Sequence, residues 1–199
     1  MPRKSPRVLF GILLPLSSIP WILGGDLTTH TAYVVLFYLL LPPLIGRLLG
    51  FEWREMGIAL PNGSGWKLFA LLFLLSIPIS LYGTTVPSMK EYYPIFEYSG
   101  WADFVLKELL IGLVMLAHEA FFRGFLLFPI ARENEALGII LQDIPYTIVH
   151  LGKPGIEVPY SFIAGIVFAK MDLKGESFVP SFLLHWLGSV LFDVLCVLL

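Results

Sequence analysis

The chain has 199 residues, of which 57% are hydrophobic and only 14% charged, and its mean hydropathy is +0.81. A soluble domain of this length carries about 25% charged residues, so this composition excludes an ordinary soluble domain. The net charge of -2 offers no basic surface for nucleic acid. Apolar runs recur along the chain, each close to the roughly 20 residues that a bilayer crossing needs. Taken in chain order they predict seven spans, at 8–23, 31–49, 66–83, 102–131, 135–151, 158–172 and 177–199. The first follows a basic start, "MPRKSPR", but no A-x-A-like cleavage site succeeds it, so it reads as a retained span and not a signal peptide. Between the second and third lies the polar loop "GFEWREMGIALPNGSGW", with Pro61, Gly63 and Gly65 as expected turn formers. "TTVPSMKEYYPIFEYSGW", before the fourth, is rich in Tyr and Trp and suits a membrane interface. No repeat and no low-complexity segment interrupts the series. The lone cysteine, Cys196, permits no internal disulfide and reads as packing.

The predicted architecture is an all-α polytopic transmembrane bundle, a single integral membrane domain over 1–199. Its orientation follows from lysine and arginine. With an odd number of spans, Arg3, Lys4, Arg7, Arg47, Arg54, Lys67, Arg132, Lys170 and Lys174 fall on one side. Lys90, Lys107 and Lys153 fall on the other. The richer side, with the N-terminus, is expected to face the cytoplasm.

Polar residues inside the spans are costly, and each is a functional hypothesis by default. His30 precedes the second span and reads as a surface residue. His118, His150 and His185 lie in the fourth, fifth and seventh. A single intramembrane histidine can be a packing hydrogen bond; three on separate helices argue for a shared polar pocket. Spacing orders the groups further. Glu119 and Arg123 are four apart with the acid first, the favourable order for a helical ion pair. Tyr146 and His150 repeat that interval, as do His185 and Ser189, with Asp193 one turn on and Asp143 two turns before His150. At about 1.5 Å per residue, Glu119, His150 and His185 lie roughly 18, 24 and 13 Å from the cytoplasmic end. Their meeting therefore calls for tilt, or for a kink at Pro145.

Three segments, "HEAFFRG", "YTIVH" and "HWLGS", resemble in order the motifs E-E-x-x-x-R, F-x-x-x-H and H-x-x-x-N/D. These belong to the CPBP superfamily, the type II CAAX prenyl endopeptidases (Rce1-like) and bacteriocin-processing or Abi proteins. The resemblance covers 102–199, which it marks as the catalytic core, with 1–101 as N-terminal spans and loops. It implies an intramembrane endopeptidase cleaving a peptide or lipidated protein tail with water activated by buried Glu and His, and without a cofactor. Glu119, Arg123, His150 and His185 carry over by position. His118 stands where the family has its first glutamate, Tyr146 where it has Phe, and Ser189 where it has Asn or Asp.

The resemblance assigns water activation to the first glutamate, helped by the first histidine, and oxyanion stabilisation to the second histidine with Asn or Asp. Here His118 is a competent base in its neutral form, and Glu119 is the other candidate. Adjacent helical residues point about 100° apart, so the two are not interchangeable. The expected site is His118, Glu119, His150 and His185, supported by Arg123, Ser189, Tyr146 and Asp193. Three other readings are open: an inactive family member serving as scaffold or chaperone for a membrane protein partner, a zinc protease built on the histidines and Glu119, and a small transporter. The spacing is not H-E-x-x-H, and no inverted repeat supports transport. The short single-domain chain points to a prokaryotic cell membrane, with lipid and a peptide as partners.

Overall fold

The computed structural model describes residues 4–199; Arg3, part of the charge count above, lies outside them. The described residues form helices and no strand. The main helices are α1 (Pro6–Leu23), α2 (Leu27–Leu48), α3 (Gly63–Gly83), α4 (Trp101–Ala131) and α7 (Val179–Leu198), with α5 (Glu135–Ile148) and α6 (Glu157–Gly175) between α4 and α7. Five of them, α1 to α4 and α7, are long and apolar enough to cross a membrane. This differs from the seven spans expected. With 14 residues, α5 reaches about 21 Å, short of a hydrocarbon core of about 30 Å. α6 carries Glu157, Lys170, Asp172 and Lys174, too many charges for a lipid-exposed crossing.

The chain nonetheless runs back and forth between two ends. At one end, Lys4 before α1 meets Glu55 of the α2–α3 loop at 2.8 Å, and Arg132 after α4 meets the same carboxylate at 3.3 Å. Arg7 pairs with Glu133, and Asn62 donates to the Lys174 carbonyl at the end of α6. At the other end, Tyr93 and Lys153 both bond Glu157 at the start of α6. α5 and α6 thus form an antiparallel hairpin packed beside α4.

Local chemistry sets the helix starts. Asp26, Asn62 and Asn134 cap α2, α3 and α5 through side-chain oxygens that accept backbone N–H bonds. Asn62 accepts from Ser64 and Gly65, so Gly63 and Gly65 lie inside α3 and not in the expected turn. Gly65 is needed there because a Cβ would stand 2.9 Å from the Gly175 Cα of α6. α4 is the centre of the bundle. Every residue from Ala117 to Ile130 is buried, and Phe121, Phe122, Phe125 and Leu126 join Tyr38 and Tyr146 in the main apolar core. A helix apolar all round belongs inside.

Glu55 organises the loop end. It accepts from the Glu52 N–H at 2.7 Å and pairs with Lys4 and Arg132. The Glu52 N–H first, then Lys4, hold its carboxyl below the ordinary 4.5. A depressed carboxyl gives stability that is complete above its unfolded value and lost as pH falls through its folded one. Glu55→Gln should therefore lower the melting temperature at pH 7, by an amount equivalent to about 1 kcal/mol because the pairs are partly screened. As pH falls through that lowered value the variant and the natural protein should converge. Equal melting at neutral pH would show that Glu55 does not tie the loop.

Candidate active site

The polar residues of the core meet where α4 changes its winding. The segment Ala120–Leu127, directly after Glu119, is π-helical. Such wide turns are rare and frequently sit at functional sites. Gly124 lets this segment touch the loop, since a Cβ there would be 3.0 Å from the Met56 carbonyl. Glu119 and Arg123 have no exposed side-chain surface, and the Arg123 Nε lies 3.3 Å from a Glu119 oxygen. The second Glu119 oxygen lies 2.7 Å from Nδ1 of His185 on α7, whose side chain keeps 19% exposure. A carboxylate facing a guanidinium is acceptor-only, so the His185 Nδ1–H donates to it.

α5 contributes the opposite wall. Arg123 donates from Nη1 to Gln142 Oε1 at 2.9 Å, and its guanidinium lies 3.8 Å from the centroid of the Tyr146 ring. The Tyr146 ring lies tilted against His150 at a centroid distance of 4.7 Å and stands 6.4 Å from His185. His150 does not lie inside a span, as the sequence suggested. It is in the turn beyond Ile148, with Nδ1 2.8 Å from the Tyr146 carbonyl. That carbonyl is one of those a helix end leaves unpaired, so the histidine is held by the end of the helix. The depth mismatch between Glu119 and His185 is likewise absorbed by the packing of α4 and α7. Gly112 lies flat against Trp186, where a Cβ would approach to 2.7 Å.

His118 is directed elsewhere. Its ring is 6% exposed and sits among Trp21, Tyr38 and Phe122, with centroid separations of 6.3, 5.1 and 5.7 Å. Its Nε2 has no hydrogen-bond partner among the described residues. Two of these three walls, Trp21 and Tyr38, come from α1 and α2, outside the motif segments. Ser189 is partly exposed on α7. Asp193 belongs to a different group, buried in contact with the Glu108 carboxyl about three turns from Glu119. Among the described residues, no set of three or more His, Cys, Asp or Glu side chains is disposed to hold a metal.

The sequence reading passed over Gln142, Glu108 and the pair of Asp172 with Ser181. Gln142 could have been found, because 142, 146 and 150 repeat every four residues and share a face. Asp172 and Ser181 are buried and joined by two hydrogen bonds across the α6–α7 turn, which no helical interval could suggest. Asp143 is buried, with both carboxylate oxygens lacking a hydrogen-bond partner, and it presses on α6. A Cβ at Gly165 would stand 1.7 Å from an Asp143 oxygen and 3.1 Å from the Tyr146 ring. Gly165→Ala should therefore destabilise by about 2 kcal/mol, as overpacking does, and Asp143→Ala in the same chain should recover most of it. Additive losses in the double variant would mean that the glycine answers to something other than Asp143.

Residues 100–191 match the profile described as type II CAAX prenyl endopeptidase Rce1-like. This part of the chain is similar to the Rce1-like family. It spans the three motifs and the whole Glu119–Arg123–Tyr146–His185 cluster, while Asp193 falls just past its end. Comparison with curated proteins and with solved structures finds no match. The second half of the chain is similar to CAAX-type membrane proteases, and its apolar helices agree with that likeness.

Proposed function

We propose that the protein is an intramembrane endopeptidase that hydrolyses a peptide or lipidated protein tail. The observation that carries this reading is the 2.7 Å contact between Glu119 and His185 inside the buried cluster. A carboxylate that fixes one imidazole nitrogen leaves the other as an oriented base. His185 Nε2 takes a proton from water, the resulting hydroxide adds to the scissile carbonyl, and the same nitrogen returns the proton to the leaving amine. Arg123 keeps Glu119 ionised and in place. His150, whose Nδ1–H donates to the Tyr146 carbonyl, presents Nε2 as an acceptor that orients the attacking water. Substrate enters on the side where His185 is exposed, in a prokaryotic cell membrane with the N-terminus in the cytoplasm. The concentration of Lys and Arg at that end of the bundle supports this orientation.

The scaffold reading has one observation in its favour: His118 replaces the family's carboxylate and is enclosed by aromatic rings without a partner. One experiment separates the readings. Purified protein is assayed on lipidated and unlipidated peptides across a pH series, with and without a chelator, alongside His118→Ala and His118→Glu. With His185 as base, activity survives the chelator and persists in His118→Ala at no less than about a tenth of the natural rate, because His118 supplies no proton transfer. Near-complete loss in His118→Ala, with folding intact, would move the base to His118. No cleavage of any peptide by the natural protein would favour the scaffold, and loss with the chelator a metal.

A further inference from the structure

The loop end of the bundle contains a cleft that the proteolytic reading does not use. It has a volume of about 650 Å³ and is lined by Arg54, Leu60, Asn62, Phe128, Arg132 and Glu176, among others. Leu60, Phe128 and Leu173 give the lining its apolar part, and Arg54, Arg132 and Glu176 its charge. Arg132 is held in place by Glu55 at 3.3 Å and by the Arg54 carbonyl at 3.4 Å. The Arg54 guanidinium has no hydrogen bond or ion pair among the described residues. The polar atoms of Asn62 are already spent on capping α3 and on the Lys174 carbonyl. Two guanidinium groups against the single Glu176 carboxylate leave the lining one positive charge. The surroundings fix the level of the cleft. Trp53 and Trp66 are exposed beside it, and Leu60 is 88% exposed at its mouth. Exposed tryptophan beside arginine is the pattern of the membrane–water interface, with Arg47 lying 5.4 Å over the Trp53 ring as a further instance.

We propose that this cleft binds the phosphate diester headgroup of an anionic phospholipid. Arg54 and Arg132 donate to the phosphate oxygens, the glycerol lies over Phe128, and an acyl chain leaves past Leu60. One diester charge matches the one unbalanced positive charge, and arginine pairs give the planar donor geometry that phosphate oxygens accept. A basic pocket between helix ends at headgroup depth is the kind of site in which anionic lipids are held.

The test uses the whole protein in uncharged detergent, with melting temperature as readout. Phosphatidylglycerol, phosphatidylcholine and inorganic phosphate are titrated at equal phosphate. Phosphatidylglycerol is expected to raise the melting temperature by about 3–6 °C, and the other two by less than a third of that. Arg54→Gln should remove at least half of the rise and Arg132→Gln more, while Lys67→Gln, a charge lost outside the cleft, should keep it. Should Arg132→Gln fail to fold for want of its Glu55 tie, Arg54→Gln decides alone. The proposal is overturned if phosphatidylcholine stabilises equally, if Arg54→Gln keeps the full rise, or if Lys67→Gln loses as much. An equal rise with inorganic phosphate would mean that the cleft takes a soluble anion and not a lipid.

Discussion

His185→Ala should lower peptide hydrolysis about a thousandfold, within the range that loss of a positioned base costs, while leaving the melting temperature almost unchanged. The two effects separate because of where His185 stands. Its side chain is partly exposed, and removing it leaves Glu119 still paired with Arg123. Glu119→Gln should lose as much activity, since the imidazole is then no longer held in the tautomer that leaves Nε2 free. That variant should also lose stability, because it strands the buried Arg123 charge. The pair of measurements is therefore more informative than either alone. A His185→Ala protein that cleaves at more than about a tenth of the natural rate would remove this histidine from proton transfer, whatever its stability.

Arg123→Ala should have the largest effect on folding, about 3–5 kcal/mol, the cost of breaking a fully buried ion pair by removing one partner. Three contacts go at once: the Glu119 pair, the bond to Gln142 and the stack on Tyr146. Arg123→Lys should not rescue it, because an ammonium cannot bond Glu119 and Gln142 while lying flat on an aromatic ring. Glu119→Leu combined with Arg123→Met should restore most of the stability and none of the activity, since apolar residues of similar volume commonly replace buried pairs without loss. Unfolding of the purified variants in a denaturing detergent series measures all three. Wild-type unfolding of Arg123→Ala would show that the guanidinium does not neutralise the core and acts on substrate instead.

Much of this site was legible as spacing. Glu119 and Arg123 sit four apart on one helix, and short-range geometry brings them together wherever that helix goes. Tyr146 and His150 share a face for the same reason. The membrane class followed from composition, and the family resemblance from three short motifs in order. None of these depends on which helix lies against which.

Partnership between helices was beyond spacing. Glu119 had two neighbours of comparable promise, and only the packing of α4 against α7, with Gly112 flush on Trp186, brings His185 to it and not His150. His118 stands next to Glu119 in the chain, yet it faces Tyr38 and Trp21, because consecutive helical side chains diverge by about 100°. Asp193 continues the His185–Ser189 stripe in sequence, but two turns along α7 carry it past the site to the neighbourhood of Glu108. The five-span count has the same origin. Hydropathy registers α5 and α6 as apolar runs, but the 14 residues of α5 and the charges of α6 make a hairpin that depends on α4 for cover. The sequence by itself determined an apolar helical chain and the family likeness of its second half, because these rest on composition and local interval. The tertiary structure alone decided which histidine meets the carboxylate, because that depends on contacts between residues 66 positions apart.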